Sequence, residues 1–311
     1  MSDQNEYEST WDNPDFSADP GAHTSHRNPT DVTRYADASM YPAQPMRATL
    51  PKVTVITATP DPLGVIAAVS RMYKGQPFYD ASDLARITDD ERREVWQDMS
   101  QTTLDTPLEF VKLHFLIEGV TRALTHQMVR QRTAVYAQES LRFAVKDDMV
   151  AACQMPPSLA MLPPQDGRVM EWQATMHNIG KSYHWLIENG IPAEDARSVL
   201  PHAVTTRLHY ATDLRNLRRE VAKRTCTQAQ FEWRHLVTSM RRELGRIDWQ
   251  YDRIVQDLVR PPCFAAGHCT FNASFDRPCS IKPKVDAGQF DQIDELEYLA
   301  DPRAAWDVRS E

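Results

Sequence analysis

Apolar and polar positions first alternate at Val53-Thr54-Val55-Ile56-Thr57, a β-branched run that reads as a strand and stops at Thr59-Pro60-Asp61-Pro62. Residues 1–48, rich in Asp, Ser, Asn, Thr and Pro, show no sustained apolar period and predict a disordered or loosely attached arm. Asp61-Pro62 carries helix-start chemistry, and the helix it opens runs through Ile66 to Met72. Ser82 to Asp98 is polar with helical composition. Leu108 to Ile117 alternates and predicts a second strand, with a buried helix as the alternative. Val120 to Val129 reads as a helix that spaces Arg122, His126 and Arg130 four apart and sets Gln127 beside them. Further helices are predicted over 169–189, ending at Gly190, over 205–223, and over 228–258, the longest. No internal repeat and no Gly/Ser linker divides this pattern, so one α+β domain over 49–259 is expected, followed by a Pro-containing acidic tail over 260–311.

The composition narrows the function classes. With 43 acidic and 35 basic residues the net charge is -8, so no global field favours nucleic acid or an anionic membrane. A hydrophobic content of 41% suffices for an ordinary core. No run of about 18 apolar residues offers a membrane span, the start lacks secretory features, and the cytoplasm is the expected compartment. Five cysteines, an odd number lying mostly late in the chain, argue against an extracellular disulfide framework.

Against that acidic background Arg130-Gln131-Arg132, Tyr136, Gln138, Glu139, Ser140 and Arg142 form a basic, polar cassette. Guanidiniums this close repel one another unless an anion sits among them, and their planar forks match phosphate and carboxylate. A solvated basic loop is the other reading. Ser140, with His126 or His114 as a base, offers a nucleophile, but no strained glycine elbow surrounds it and hydrogen bonding to an oxyanion suits it better. Arg197 and Arg224 stand beside helix boundaries, where a surface charge is the ordinary reading. Cys263, His268, Cys269 and Cys279 are zinc-type ligands in an unfamiliar spacing, so no metal is assigned and thiols without metal are the alternative to a structural zinc. HExxH, P-loop and Rossmann glycine patterns are absent, and ten glycines leave little room for a glycine-cradled dinucleotide.

The order of these motifs resembles the flavin-dependent thymidylate synthases, the ThyX family. Thr59-Pro60-Asp61-Pro62 with Ala67-Ala68 and Arg71 resembles the family's opening strand and helix. Thr106-Pro107-Leu108-Glu109 through Ile117 to Ala123 and Gln127 resembles the approach to its signature, and Arg130 to Phe143 resembles the signature RHRxxSxxxxSxRY. Ala196 to Pro201, Leu214-Arg215-Asn216-Leu217, Arg224 and Ala229 to Glu232 resemble the nucleotide-binding second half, so the likeness spans about residues 50–258.

The resemblance implies a homotetramer of mixed-sheet subunits with long helices that methylates dUMP reductively to dTMP. Methylenetetrahydrofolate supplies the carbon, FAD carries the hydride, NADPH reduces the flavin, and no protein nucleophile takes part. Gln127, Gln138, Glu139, Ser140, Arg142 and Arg197 are then expected to hold dUMP, with Arg142 and Arg197 at its phosphate and Arg224 polarising the uracil ring as the catalytic residue. Thr106, Arg130, Gln131, Arg132, Asp213, Arg215 and Arg219 are expected at FAD. Five positions depart from the family pattern on the flavin side: Leu104, Gln131, Val135, Asp213 and Arg219. Asp213 would repel a flavin pyrophosphate unless Arg215 or Arg219 neutralises it. Two rivals follow: hydroxymethylation or methylation of another pyrimidine deoxynucleotide (dUMP or dCMP), and a catalytically inactive nucleotide-binding homologue. The phosphate contacts cannot separate these, because they carry no information about the base.

Overall fold

In the computed structural model, residues 51–294 are described, except 77, 79, 103 and 272–278; the arm expected over 1–48 lies outside them. Strand β1 (Lys52–Ala58) leads to helix α1 (Pro62–Tyr73), and Asp61 caps that helix by accepting from the Gly64 amide at 3.0 Å. A Cβ at position 64 would lie 2.1 Å from the Asp61 carboxylate, so this cap requires glycine. Asp61 also pairs with Arg92 at 2.7 Å. That pair ties α1 to α3 (Asp89–Gln101), which follows the short α2 (Ser82–Ala85) and starts at a capping box made by Thr88 and Glu91.

Strand β2 (Lys112–Thr121) begins later than the alternation suggests, because Thr106–Phe110, with Pro107 at its start, closes into a 3-10 turn. Helix α4 (Arg122–Met128) is followed by β3 (Val135–Gln138), α5 (Pro157–Ala160), α6 (Gly167–Glu188) and α7 (Ala193–Ala196). The helix expected over 205–223 is instead strand β4 (Thr205–Asp213) and then α8 (Leu214–Arg224). Thr206, Leu208, Tyr210 and Thr212 point inward while Arg207 and His209 are exposed, a period of two set by cross-strand packing. Asp213 ends the strand and caps α8 through the Asn216 amide at 2.9 Å. The single long helix expected over 228–258 is broken into α9 (Phe231–Gly245) and α10 (Trp249–Leu258), since Asp248 accepts from the Gln250 and Tyr251 amides and starts a new helix. Short helices α11 (Pro262–Ala266) and α12 (Lys282–Asp286) follow.

The strands form one sheet in the order β1-β2-β4-β3, and every pairing is antiparallel, a simpler sheet than the mixed one expected. Gly119, at φ +76°, takes up the register shift between Glu118 and Val120 as a bulge. Phe115, Tyr210 and Tyr136 stack in a row across β2, β4 and β3. The main core joins the inner sheet face to α1, α9 and α10. A second core lies under α6, around Met176 and Tyr183, and a small third one, around Cys263, Ile281, Val285 and Ile293, belongs to the chain after α10.

Candidate active site

The joint between β2 and α4 positions the first of the residues expected at the nucleotide. Thr121 caps α4 through the Leu124 amide at 3.1 Å. The buried Glu232 carboxylate, in the first turn of α9, accepts from both the amide and the hydroxyl of Thr121 at 2.6 Å. Burial pushes the Glu232 carboxyl above its ordinary range, against the opposing effect of the two Thr121 bonds. Farther along α4, Gln127 donates to the Gln230 side chain through a short hydrogen bond and accepts from Arg224 Nη1 at 3.4 Å. Arg224, the last residue of α8, donates through Nε to Glu220 at 2.8 Å and lies 4.7 Å above the Trp233 ring. Its guanidinium is thus a cation fixed from three directions.

The rest of the expected nucleotide set continues from this point. Gln138 donates to Thr125 Oγ1 at 3.3 Å, and Glu139 is held by Lys146 at 3.2 Å and Arg207 at 3.7 Å. Ser140 Oγ accepts from the Arg142 amide at 3.2 Å, which turns the chain there. Arg142 pairs with the Glu194 carboxylate at 2.8 Å, and Arg197 Nε donates to the Glu194 carbonyl at 3.0 Å, so both expected phosphate ligands meet at one residue. Half-buried Arg122 lies within reach of the Arg197 charge. Burial and then the Arg197 charge lower its pKa, and Glu139 opposes. Arg122 was not among the expected ligands. The available signal was a cation at the first position of a helix, where the peptide dipoles disfavour positive charge.

The expected flavin residues form a second group. Tyr210 donates to Gln131 Oε1 at 2.8 Å, and the Tyr136 hydroxyl donates to the Met128 carbonyl at 2.8 Å, so the glutamine at the signature's histidine position is held by tyrosine and backbone. Gln131 Nε2 reaches the Asn216 carbonyl at 3.4 Å. Asp213 is not neutralised by Arg215 or Arg219. Its carboxylate is spent on the α8 cap and on Lys112 at 3.7 Å. Arg215 pairs with Asp105 at 2.7 Å and, more closely, with Glu109, while Arg219 pairs with Asp105 at 3.3 Å. Burial would raise Asp105, but the bond and charge of Arg215 and the charge of Arg219 hold it below the usual carboxylate range. Thr106 opens the 3-10 turn next to this pair. Arg130 and Arg132 are exposed, and no carboxylate among the described residues engages them. Leu104 and Val135 are exposed apolar residues.

The family described as thymidylate synthase complementing protein matches residues 54–248. This chain belongs to the flavin-dependent thymidylate synthase family. The flavin-dependent thymidylate synthase of Pyrococcus furiosus is 30% identical over 222 residues, covering 70% of this chain and 88% of its own. The one from Sulfurisphaera tokodaii is 32% identical over 197 residues, 63% of this chain and 74% of its own. Among solved structures, ThyX from Helicobacter pylori with FAD and dUMP has the same fold at a TM-score of 0.51 and 17% identity, over 68% of this chain and 99% of its own. The match to the flavin-dependent thymidylate synthase family ends before α10, so the third core follows it in the chain.

Proposed function

We propose that this chain methylates dUMP reductively to dTMP, with methylenetetrahydrofolate as carbon donor, FAD as hydride carrier and NADPH as reductant. The observation that carries the proposal is the meeting of Arg142 and Arg197 at Glu194, with Arg122 within reach of the Arg197 charge, in a chain that also fixes the Gln127–Arg224 pair. A phosphate takes the place of the Glu194 carboxylate at small cost, because that ion pair is about half exposed and such pairs contribute little. Gln127, Gln138, Glu139 and Ser140 then line the path from phosphate to base. Arg224 stabilises the negative charge that builds on the uracil oxygens as the ring carbon becomes nucleophilic, and its fixed position spares the cost of reorienting it. Ser140 Oγ is turned to the Arg142 amide, which suits a binding role.

FAD, when bound, supplies the hydride transfer. Arg130 and Arg132 would hold its diphosphate, and Thr106, Gln131, Asp213, Arg215 and Arg219 would complete the residues that bind it. A homotetramer belongs to this proposal, supported by the exposed apolar side chains of Leu104, Phe110, Val135 and Phe143 around the two residue groups. Residues 49–259 are the catalytic unit and 260–311 an appended tail. Among the described residues no helix is long and apolar enough to cross a membrane, and a reaction on free nucleotide and folate belongs in the cytoplasm.

The test is incubation of the protein with FAD, NADPH, methylenetetrahydrofolate and dUMP, with the product identified by mass spectrometry. The expected product is dTMP. A hydroxymethylated nucleotide, methylation of dCMP alone, or no product would overturn the assignment.

A further inference from the structure

Four of the five cysteines meet in one place. Cys226, Cys263, Cys269 and Cys279 line a single small cavity of about 20 Å³ together with Ile281 and Val285. The fifth, Cys153, is buried in the core under α6. All five are free thiols.

We propose that Cys226, Cys263, Cys269 and Cys279 bind one structural zinc ion that fastens residues 260–294 to the loop after Arg224. A volume of this size is close to that of one water-sized sphere, about 10–15 Å³, and so suits a single ion rather than a larger ligand. Among the described residues no three His, Cys, Asp or Glu side chains stand close enough as they are to hold a metal ion. Binding therefore draws the thiols inward, to the spacing of about 3.8 Å between sulfurs that tetrahedral Zn–S bonds of about 2.3 Å require. His268 stays outside this set, because it is exposed and its Nδ1 is taken by the Ala266 carbonyl at 2.9 Å. Cys226 stands in its place. Lys282, which also lines the cavity, pairs with Asp286 at 2.5 Å and adds a cation near the thiolates.

The segment needs such a fastening. Among the described residues its own core has four buried members, Cys263, Ile281, Val285 and Ile293, with Phe264 and Phe290 packed against them. Units below about 40 residues generally need a metal, a disulfide or a partner to hold together. Zinc anchored at Cys226 also stiffens the connection between Arg224 and Gln230, the two groups that hold Gln127. Both act as positioning consequences of a structural site, independent of which nucleotide the enzyme methylates.

The experiment is elemental analysis of the full-length protein from zinc-supplemented cells, joined to titration with a mercurial while a zinc indicator reports release. Roughly one zinc per chain is expected, released as four thiols react. The cobalt-substituted protein should show the thiolate charge-transfer bands and intense visible transitions of a tetrahedral four-sulfur site. Cys153→Ser should retain the metal, and Cys269→Ser should lose most of it. If Cys269→Ser fails to fold, the wild-type stoichiometry and cobalt spectrum still decide. Less than about one zinc per ten chains with four reactive thiols, a disulfide among the four, or iron in place of zinc would each overturn the site.

Discussion

Replacing Glu232 with alanine should loosen the joint that aims the nucleotide site. The carboxylate is buried and receives two hydrogen bonds of 2.6 Å from Thr121, the residue that caps α4. Its loss leaves the Thr121 amide without a buried partner, at about 1–3 kcal/mol, and opens a small cavity worth about 1 kcal/mol more. A total near 3 kcal/mol corresponds to a fall in Tm of roughly 6–12 °C for a domain of this size. Glu232→Gln keeps an acceptor and the shape, and should cost about 1 kcal/mol. The two variants also separate the effect of charge. Because burial raises the Glu232 pKa, the folded protein binds more protons than the unfolded chain between the ordinary carboxylate range and the raised value. Stability therefore declines as pH rises through that window, and Glu232→Gln should flatten the decline. Urea unfolding at several pH values measures both. A change below about 0.5 kcal/mol in Glu232→Ala would refute the claim that this carboxylate holds the joint.

The other predictions concern binding and rate. Arg122→Gln should raise the dUMP Kd about tenfold or more, as loss of a charge-assisted hydrogen bond does, with little change in protein stability; unchanged affinity by calorimetry would remove it from the phosphate site. Arg224→Lys keeps the charge but loses the Gln127 and Trp233 contacts, so kcat should fall about a hundredfold while dUMP affinity moves little, and an equal loss in both would exclude a transition-state role. Asp105→Asn should free Arg219 and leave Arg215 on Glu109 alone, and so tighten FAD binding in a fluorescence titration. Asp105 is held below its ordinary range, so its stabilising effect is present above the unfolded pKa and is lost as pH falls through the folded one; the variant should lose that acid sensitivity.

The family was more legible in the sequence than the topology. It was readable from the four motif blocks, whose order along the chain falls within the matched residues 54–248. β4 was misread because Arg207-Leu208-His209-Tyr210 alternates over too few residues to outweigh the helical run that begins at Leu214. The break at Asp248 was hidden because apolar periodicity resumes in α10 on the same core. β3 was missed because Val135 and Ala137 are exposed and carry no core signal; the sheet edge is fixed instead by Tyr136 stacking on Tyr210. The partners of Asp213 and the arrival of Cys226 beside the late cysteines depend on chain reversal between distant segments, which no local pattern encodes.

The central claim, flavin-dependent methylation of dUMP, is tested most directly by the visible spectrum of the protein loaded with FAD and reduced anaerobically by NADPH. On addition of dUMP and methylenetetrahydrofolate the flavin absorbance should return in step with dTMP, one equivalent for each flavin reoxidised. Reoxidation without dTMP, or a protein that takes up no FAD, would contradict it.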